Sequence, residues 1–163
     1  MMKRLVFLAF AVFMVVMTSC NTGSNLTKAE REALVTRQVQ EGLDTRHYKI
    51  AVDWMKPRGG MARHVTSNYE LKVSGDELDC YLPYAGEAFR LPMGGGQGLN
   101  FKAPIENYTI TYLTSNRSHI EFMVKNVEEV YLFRIDVFNN GKSIIDIIPQ
   151  DRDAISFDGE MVF

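Results

Sequence analysis

The sequence has 163 residues, of which 46% are apolar and 23% are charged, and its formal net charge is −2. This length suits a single domain with its own hydrophobic core, and the apolar content excludes an intrinsically disordered chain. The charge balance lacks the basic excess of a non-specific nucleic-acid binder, so we expect no nucleic-acid partner, and two cysteines are too few for a disulfide scaffold.

Residues 1–19 are typical of a lipoprotein signal peptide. A basic start precedes thirteen consecutive apolar residues at positions 5–17. That run is shorter than the about 20 residues of a transmembrane helix, but it suits the apolar region of a signal peptide. Thr18-Ser-Cys20 then resembles the bacterial lipobox, which implies acylation of the Cys20 sulfur and cleavage before it. An ordinary secretory signal with a chance cysteine is the alternative.

Residues 20–26 are predicted to be a flexible tether, because residues 21–25 are small and polar. Position 21 is not Asp, and no acidic cluster follows Cys20. By resemblance to known lipoprotein sorting rules, this implies a protein anchored in the outer membrane of a Gram-negative bacterium and facing the periplasm. The membrane is therefore a predicted partner, through the acyl chains on Cys20.

A helix is predicted over residues 27–42. Thr27-Lys-Ala-Glu30 matches a capping box, residues 28–41 contain neither Gly nor Pro, and Gly42 is a natural stop. The apolar stripe of this helix is thin, which indicates that the helix lies on the surface of another element rather than forming a core.

From His47 onward, apolar and polar residues alternate, which is typical of strands. Gly75-Asp76 is predicted to be a two-residue hairpin turn. The turn places three pairs on one face: Val73 with Leu78, Leu71 with Cys80 and Tyr69 with Leu82. Cys80 is thus expected to be an inert core residue rather than a nucleophile, and it has no disulfide partner once Cys20 is acylated.

Further turns are predicted at residues 114–118, at Asn139-Asn140-Gly141 and at Asp158-Gly159. For the second of these, a two-residue Asn-Gly turn would bury Asp146 opposite Ile135. A three-residue loop with Gly141 left-handed avoids this burial and is preferred. It predicts two pairs: Ile135 with Ile145, and Arg134 with Asp146.

Eight to ten short strands with hairpin-like links predict a mainly β, antiparallel meander that forms a barrel or a sandwich, preceded by one N-terminal helix. We expect one globular domain over residues 27–163, in which residues 47–163 form the β-domain. Periodicity does not distinguish a barrel from a sandwich, so both alternatives stay open.

Several spaced motifs in the β-domain resemble a known family. They are Tyr81-Leu-Pro-Tyr84, Gly86, Ala88-Phe89, a glycine-rich stretch ending in Gly98-Leu-Asn-Phe101, and Arg152 followed by Ile155-Ser-Phe-Asp-Gly159. Over residues 45–163 this order resembles the Bacteroidetes lipoprotein family catalogued as domain of unknown function 4251. The family carries no assigned activity, so the resemblance implies a class of organism and a compartment but no mechanism. Residues 94–98 and 147–149 depart from the family pattern.

We interpret four further sets of residues as structural rather than functional. Residues 94–98 are glycine-rich but lack the Lys-Ser/Thr of a phosphate-binding loop. The three histidines, at 47, 64 and 119, lack metal-ligand spacing, so we predict neither a metal nor another cofactor. The acidic pairs Glu128/Glu129 and Asp151/Asp153 are expected in solvated turns. Residues 56–64 combine cationic side chains with two glycines and are interpreted as a solvated loop, with an anion or a lipid headgroup as the alternative ligand.

The candidate binding site is an aromatic segment at the end of a strand. Pro83 ends that strand, and Tyr84 then leaves the sheet near Phe89. The two rings suit stacking on a sugar or a peptide, and plugging the end of the core is the alternative. Arg152 is the third candidate ligand-binding residue; alternatively, it is a buried ion-pair partner, for example of Asp136 or Asp146, and the sequence does not decide which carboxylate is its partner.

The sequence contains no recognisable catalytic motif, so we do not expect an enzyme. We expect a non-enzymatic binding or protein-interaction module whose partner is a small ligand or an envelope protein. A structural envelope protein without a small-molecule ligand is the first alternative. A small periplasmic hydrolase, with a site assembled from scattered residues, is the second.

Overall fold

A computed structural model describes residues 26–89 and 98–163. Within them, helix α1 (Lys28–Asp44) precedes eight strands: β1 (His47–Pro57), β2 (Arg63–Ser74), β3 (Glu77–Leu82), β4 (Leu99–Thr114), β5 (Arg117–Lys125), β6 (Val130–Phe138), β7 (Lys142–Pro149) and β8 (Ile155–Val162). The predicted signal peptide and Cys20 lie outside the described residues, as do residues 21–25 of the tether and residues 94–97 of the glycine run. No helix in the described ranges has the length and hydropathy of a membrane span.

The strands form a closed antiparallel barrel in which each strand pairs with its neighbours in the chain and β8 pairs with β1. The prediction of a mainly β, antiparallel meander behind one helix is confirmed, and of the two open alternatives the barrel is the observed one. Alternate residues point inward along each strand. In β6, for example, Tyr131, Phe133 and Ile135 are fully buried in the barrel core.

Two predicted hairpin registers are observed. Val73 pairs with Leu78 and Leu71 with Cys80, although the ladder ends at the next pair, before the expected pairing of Tyr69 with Leu82. Between β6 and β7, Gly141 is left-handed with φ 85°. This three-residue loop sets both predicted pairs, Ile135 with Ile145 and Arg134 with Asp146. At both hairpins, the turn residues and the side-chain alternation predict the same register, and that register is observed.

The hairpin predicted at Asp158-Gly159 is wrong, because β8 continues through both residues. Gly159 pairs with Val52 where β8 meets β1. A Cβ atom on Gly159 would collide with the carbonyl oxygen of Ala51. The glycine therefore permits a close approach of two backbones at the seam of the barrel, which is the other common reason for glycine within a strand.

Helix α1 covers the end of the barrel where β1 begins and β8 ends. Its predicted capping box is present: the Thr27 side chain accepts from the backbone of Glu30, whose carboxylate accepts in return from the Thr27 backbone. The helix passes the predicted stop at Gly42 and ends at Asp44. Val39 and Leu43 are buried, and the Tyr112 hydroxyl donates to Asp44 at 2.5 Å. The few apolar side chains of helix α1 are thus enough to close this end of the barrel.

Candidate functional site

Arg152 lies at the barrel end opposite the helix and is 5% exposed. Its Nε donates to the Glu129 carboxylate, and its Nη2 donates to Glu128 at 3.0 Å and to the Tyr131 hydroxyl at 2.6 Å. The buried ion pair considered for Arg152 is therefore present, and its partners are Glu128 and Glu129 rather than either of the two examples, Asp136 and Asp146. Asp136 instead pairs with His119, and Asp146 accepts from Ser156.

The expectation that Glu128 and Glu129 are solvated is wrong for Glu129, which is only 8% exposed. The Asn126 side chain accepts from the backbone amides of both glutamates, at 2.8 Å and 3.0 Å. This local turn aims Glu129 at the barrel end, where its second oxygen accepts from the Asp151 amide at 2.9 Å. Asn three residues before a glutamate was the sequence signal for this turn, since Asn side chains readily bond the following amides.

Tyr84 is brought to Arg152, whose guanidinium lies 5.1 Å from the centre of the tyrosine ring. The Tyr84 hydroxyl donates to the Asp153 carbonyl at 2.9 Å. The Phe89 amide donates to the Asp151 carbonyl at 2.8 Å, but the Phe89 side chain is 68% exposed. Of the three predicted ligand-binding residues, two therefore meet inside the barrel end, while the Phe89 ring points to solvent.

The electrostatics of this barrel end favour fixed protonation states. Burial opposes the charge of Arg152, but the hydrogen bond to Glu129 and the nearby carboxylates outweigh it and raise the pKa of the guanidinium. Burial likewise raises the pKa of the Tyr131 phenol, despite the opposing charge of Arg152. A permanent cation held by buried partners is not poised to exchange protons. The arrangement closes the barrel end and stabilises it.

A groove on the outer wall is the second candidate, and sequence reasoning missed it. Its volume is about 490 Å³, and it crosses β1, β8 and β7. We call it the Trp54 groove. It is lined by Asp53, Trp54, Lys56, Phe138, Asn140, Lys142, Ser143, Ile144, Asp158, Gly159 and Glu160. This volume lies within the range of about 300–1,000 Å³ that is typical of small-molecule sites.

A β-bulge in β1 directs Trp54 into this groove. Strict alternation would place Trp54 on the inner face with Ile50 and Val52. The register of β1 shifts between Val52 and Trp54 against both of its partner strands, so that Trp54 is 41% exposed while Met55 is 1% exposed. Bulges of this kind redirect a side chain and are frequent beside functional sites. Alternation alone could not reveal the site, because the bulge reverses it.

The Trp54 ring and a set of charged groups form the surface of the groove. The ring packs edge-to-face against His64, with 5.8 Å between the ring centres. Lys56 pairs with Asp158 at 2.6 Å, and Lys142 is the cross-strand neighbour of Glu160. The lining carries two lysines and three carboxylates, a net charge of −1. The groove thus offers an apolar face beside both donors and acceptors, which suits recognition of a polar ligand.

Of the remaining sequence candidates, Lys56 and His64 lie at the Trp54 groove, whereas His47, His119 and Cys80 are not among its lining residues. Within residues 26–89 and 98–163, no group of three or more His, Cys, Asp or Glu side chains is arranged to hold a metal. His47 contacts the Thr45 carbonyl, His119 contacts Asp136, and His64 packs against Trp54. Cys80 is fully buried as predicted, and burial raises the pKa of its thiol. The loop predicted over residues 56–64 is shorter than expected, because Lys56 lies in β1, where it pairs with Asp158, and Arg63 and His64 lie in β2.

Residues 30–161 match the family model described as Domain of unknown function (DUF4251). The chain is also similar to the crystal structure of a DUF4251 family protein from Bacteroides eggerthii, with a TM-score of 0.64 and 14% sequence identity, over 80% of this chain and 88% of that one. At this identity the similarity shows a shared fold. Among curated proteins, no match to the chain is found.

Proposed function

The chain belongs to the DUF4251 family, and from that premise we propose that it is a non-catalytic binding module of the cell envelope that takes its ligand in the Trp54 groove. A lipid anchor on Cys20 holds the barrel at the outer membrane, facing the periplasm. The lipobox-like Thr18-Ser-Cys20 after a short apolar run supports the anchor. The Bacteroides origin of the similar structure is in keeping with this compartment.

The observation that carries the proposal is the outward placement of Trp54. Burying an aromatic side chain stabilises a fold by about 25 cal/mol per Å² of apolar surface, and this barrel forgoes part of that gain at its only tryptophan. The bulge that exposes the ring also interrupts the ladder on both sides of β1. A ligand that covers the ring restores the burial, which makes the exposed ring favourable for binding.

Because Trp54 is the only tryptophan of the chain, its selectively excited fluorescence reports on this groove alone. We expect a fractionated envelope extract to raise the melting temperature of the full chain, since a ligand that binds the native state stabilises it, and a small ligand purified from the active fraction to change Trp54 emission. The melting shift should disappear in Trp54→Ala. Tyr81→Ala is the matched control, because Tyr81 is a similarly exposed aromatic, at 43%, on β3 and outside the groove. Equal shifts in wild type and Trp54→Ala would contradict the proposal.

The anchor has a separate test. Intact-mass analysis of the native protein should find Cys20 as the first residue, carrying acyl chains, and labelled palmitate should be incorporated. Cys20→Ala is the control and should lose both the label and membrane retention. Retention of residues 1–19, or an unmodified Cys20 sulfur, would contradict the anchored arrangement while leaving the groove test unaffected.

A further inference from the structure

We propose that the ligand of the Trp54 groove is a neutral saccharide chain, with one sugar ring stacked on the indole of Trp54. This inference rests on the proposed function and adds the chemical class of the ligand. Three properties of the groove support it: the pairing of its strands on both sides, the near balance of its charge, and the mixture of groups around the ring.

The strand pairing at the groove disfavours a peptide ligand there. An extended peptide commonly binds by adding a strand to a sheet edge. At the Trp54 groove, β1, β7 and β8 are each paired on both sides, so the groove itself offers no edge. An amphipathic helix requires a continuous apolar groove. Here the apolar side chains of Trp54, Ile144 and Phe138 lie among five charged residues, which interrupts such a surface.

The charges in the groove disfavour an anionic ligand. The net charge of the lining is −1, and the Lys56 ammonium is held by Asp158 at 2.6 Å. A phosphate or carboxylate ligand would have to compete with Asp158 for this lysine and would face Asp53 and Glu160 as well. An uncharged ligand avoids both costs, because it leaves the existing ion pair in place.

The groups beside Trp54 match sugar hydroxyls. A hydroxyl both donates and accepts hydrogen bonds. Carboxylates such as Asp53 accept, lysine ammonium groups donate, and the Asn140 amide does both. A pyranose ring presents an apolar face of C–H groups with hydroxyls at its edge. An exposed indole bordered by such donors and acceptors is complementary to that combination.

The test is a titration of the full chain with three neutral tetrasaccharides: maltotetraose, cellotetraose and the tetramer of N-acetylglucosamine. We expect at least one to change Trp54 emission in a saturable way. Calorimetry should then show affinity weakened about tenfold or more in Trp54→Ala, which is the loss expected for one stacking contact. Trp54→Phe should bind with intermediate affinity, and Tyr81→Ala should bind as wild type. Circular dichroism of each variant verifies that the barrel is folded.

Salt provides a second criterion. The affinity for a neutral saccharide should change little between low and physiological salt, because screening acts on charge–charge attraction. If none of the three saccharides alters Trp54 emission at millimolar concentration, or if Trp54→Ala binds them as wild type does, the inference is overturned. The proposed function still holds if an envelope component stabilises the wild type but not Trp54→Ala. It fails together with the inference if neither extract nor saccharide depends on Trp54.

Discussion

At the residue scale, the barrel end opposite the helix depends on one arginine. Arg152 is surrounded by two carboxylates, a phenol hydroxyl and an aromatic ring. A buried charge is tolerated only when it is paired and hydrogen-bonded. Two of these partners also hold another part of the chain, since Glu129 accepts from the Asp151 amide and Tyr84 donates to the Asp153 carbonyl. The network therefore joins three links between strands into one closed end.

Replacing Arg152 should strongly destabilise the protein. Arg152→Met leaves the buried Glu129 carboxylate without its cation, and we expect the free energy of unfolding to fall by about 3–5 kcal/mol in urea denaturation. Lys102→Met is the matched control: it removes an exposed ion pair with Asp79, so little or no loss of stability is expected. The double variant Arg152→Met/Glu129→Met should recover part of the loss. Equal losses in the two single variants would contradict the buried network.

At the element scale, the junction of β1 and β8 shapes the groove. Gly159 of β8 pairs with Val52 of β1 and lets the two backbones approach. The bulge in β1 follows directly after Val52 and turns Trp54 outward. The same junction therefore closes the barrel and forms part of the candidate site. Gly159, which the sequence predicts to be part of a turn, acts here through its missing side chain.

Adding a methyl group at this junction should disturb both closure and site. Gly159→Ala places a Cβ atom against the Ala51 carbonyl oxygen, so we expect a loss of about 1–3 kcal/mol or more in stability. Gly60→Ala in the β1–β2 loop is the control, because the new Cβ would meet only the flexible ring of Pro57 and should change stability by about 0.5 kcal/mol or less. Trp54 emission should shift in Gly159→Ala alone. Wild-type stability of Gly159→Ala would show that the strands separate without cost.

At the scale of the whole molecule, the barrel buries titratable groups in their neutral forms. Burial is the main cause that raises the pKa of the Cys80 thiol and of the Tyr48 and Tyr131 phenols. The three groups lie on β3, β1 and β6, so they report on different parts of the barrel. The folded state keeps their protons at pH values where the unfolded chain loses them. Their contribution to stability is complete below the unfolded pKa values and is lost as the pH rises.

The protein should therefore lose stability in alkali. We expect the free energy of unfolding to be nearly constant from pH 7 to pH 8 and to decrease above pH ~8.5–10, where an unfolded cysteine and then an unfolded tyrosine titrate. Denaturant titrations at a series of pH values measure this. Cys80→Ala should reduce the first part of the decrease, because it removes the group with the lowest ordinary pKa of the three. Parallel pH profiles for wild type and Cys80→Ala would contradict the assignment to Cys80.

The correct predictions depend on residues that are close together in the sequence. The capping box at Thr27, the Leu71–Cys80 register and the left-handed Gly141 each follow from local hydrogen bonding or from turn geometry combined with alternation. The incorrect ones required distant partners. Glu129 looked solvated and Gly159 looked like a turn, because Arg152 and the β1 backbone that explain them are remote in sequence.

The sequence by itself determined the mainly β meander, the leading helix and the alternation that fills the barrel, since these depend on patterns within each strand and turn. The tertiary structure alone decided that the first and last strands meet, that Arg152 pairs with Glu129, and that Trp54 faces outward. The physical reason is barrel closure. It brings the two ends of the β-domain together, and the register of β1 shifts against both β2 and β8, which its own residues do not predict.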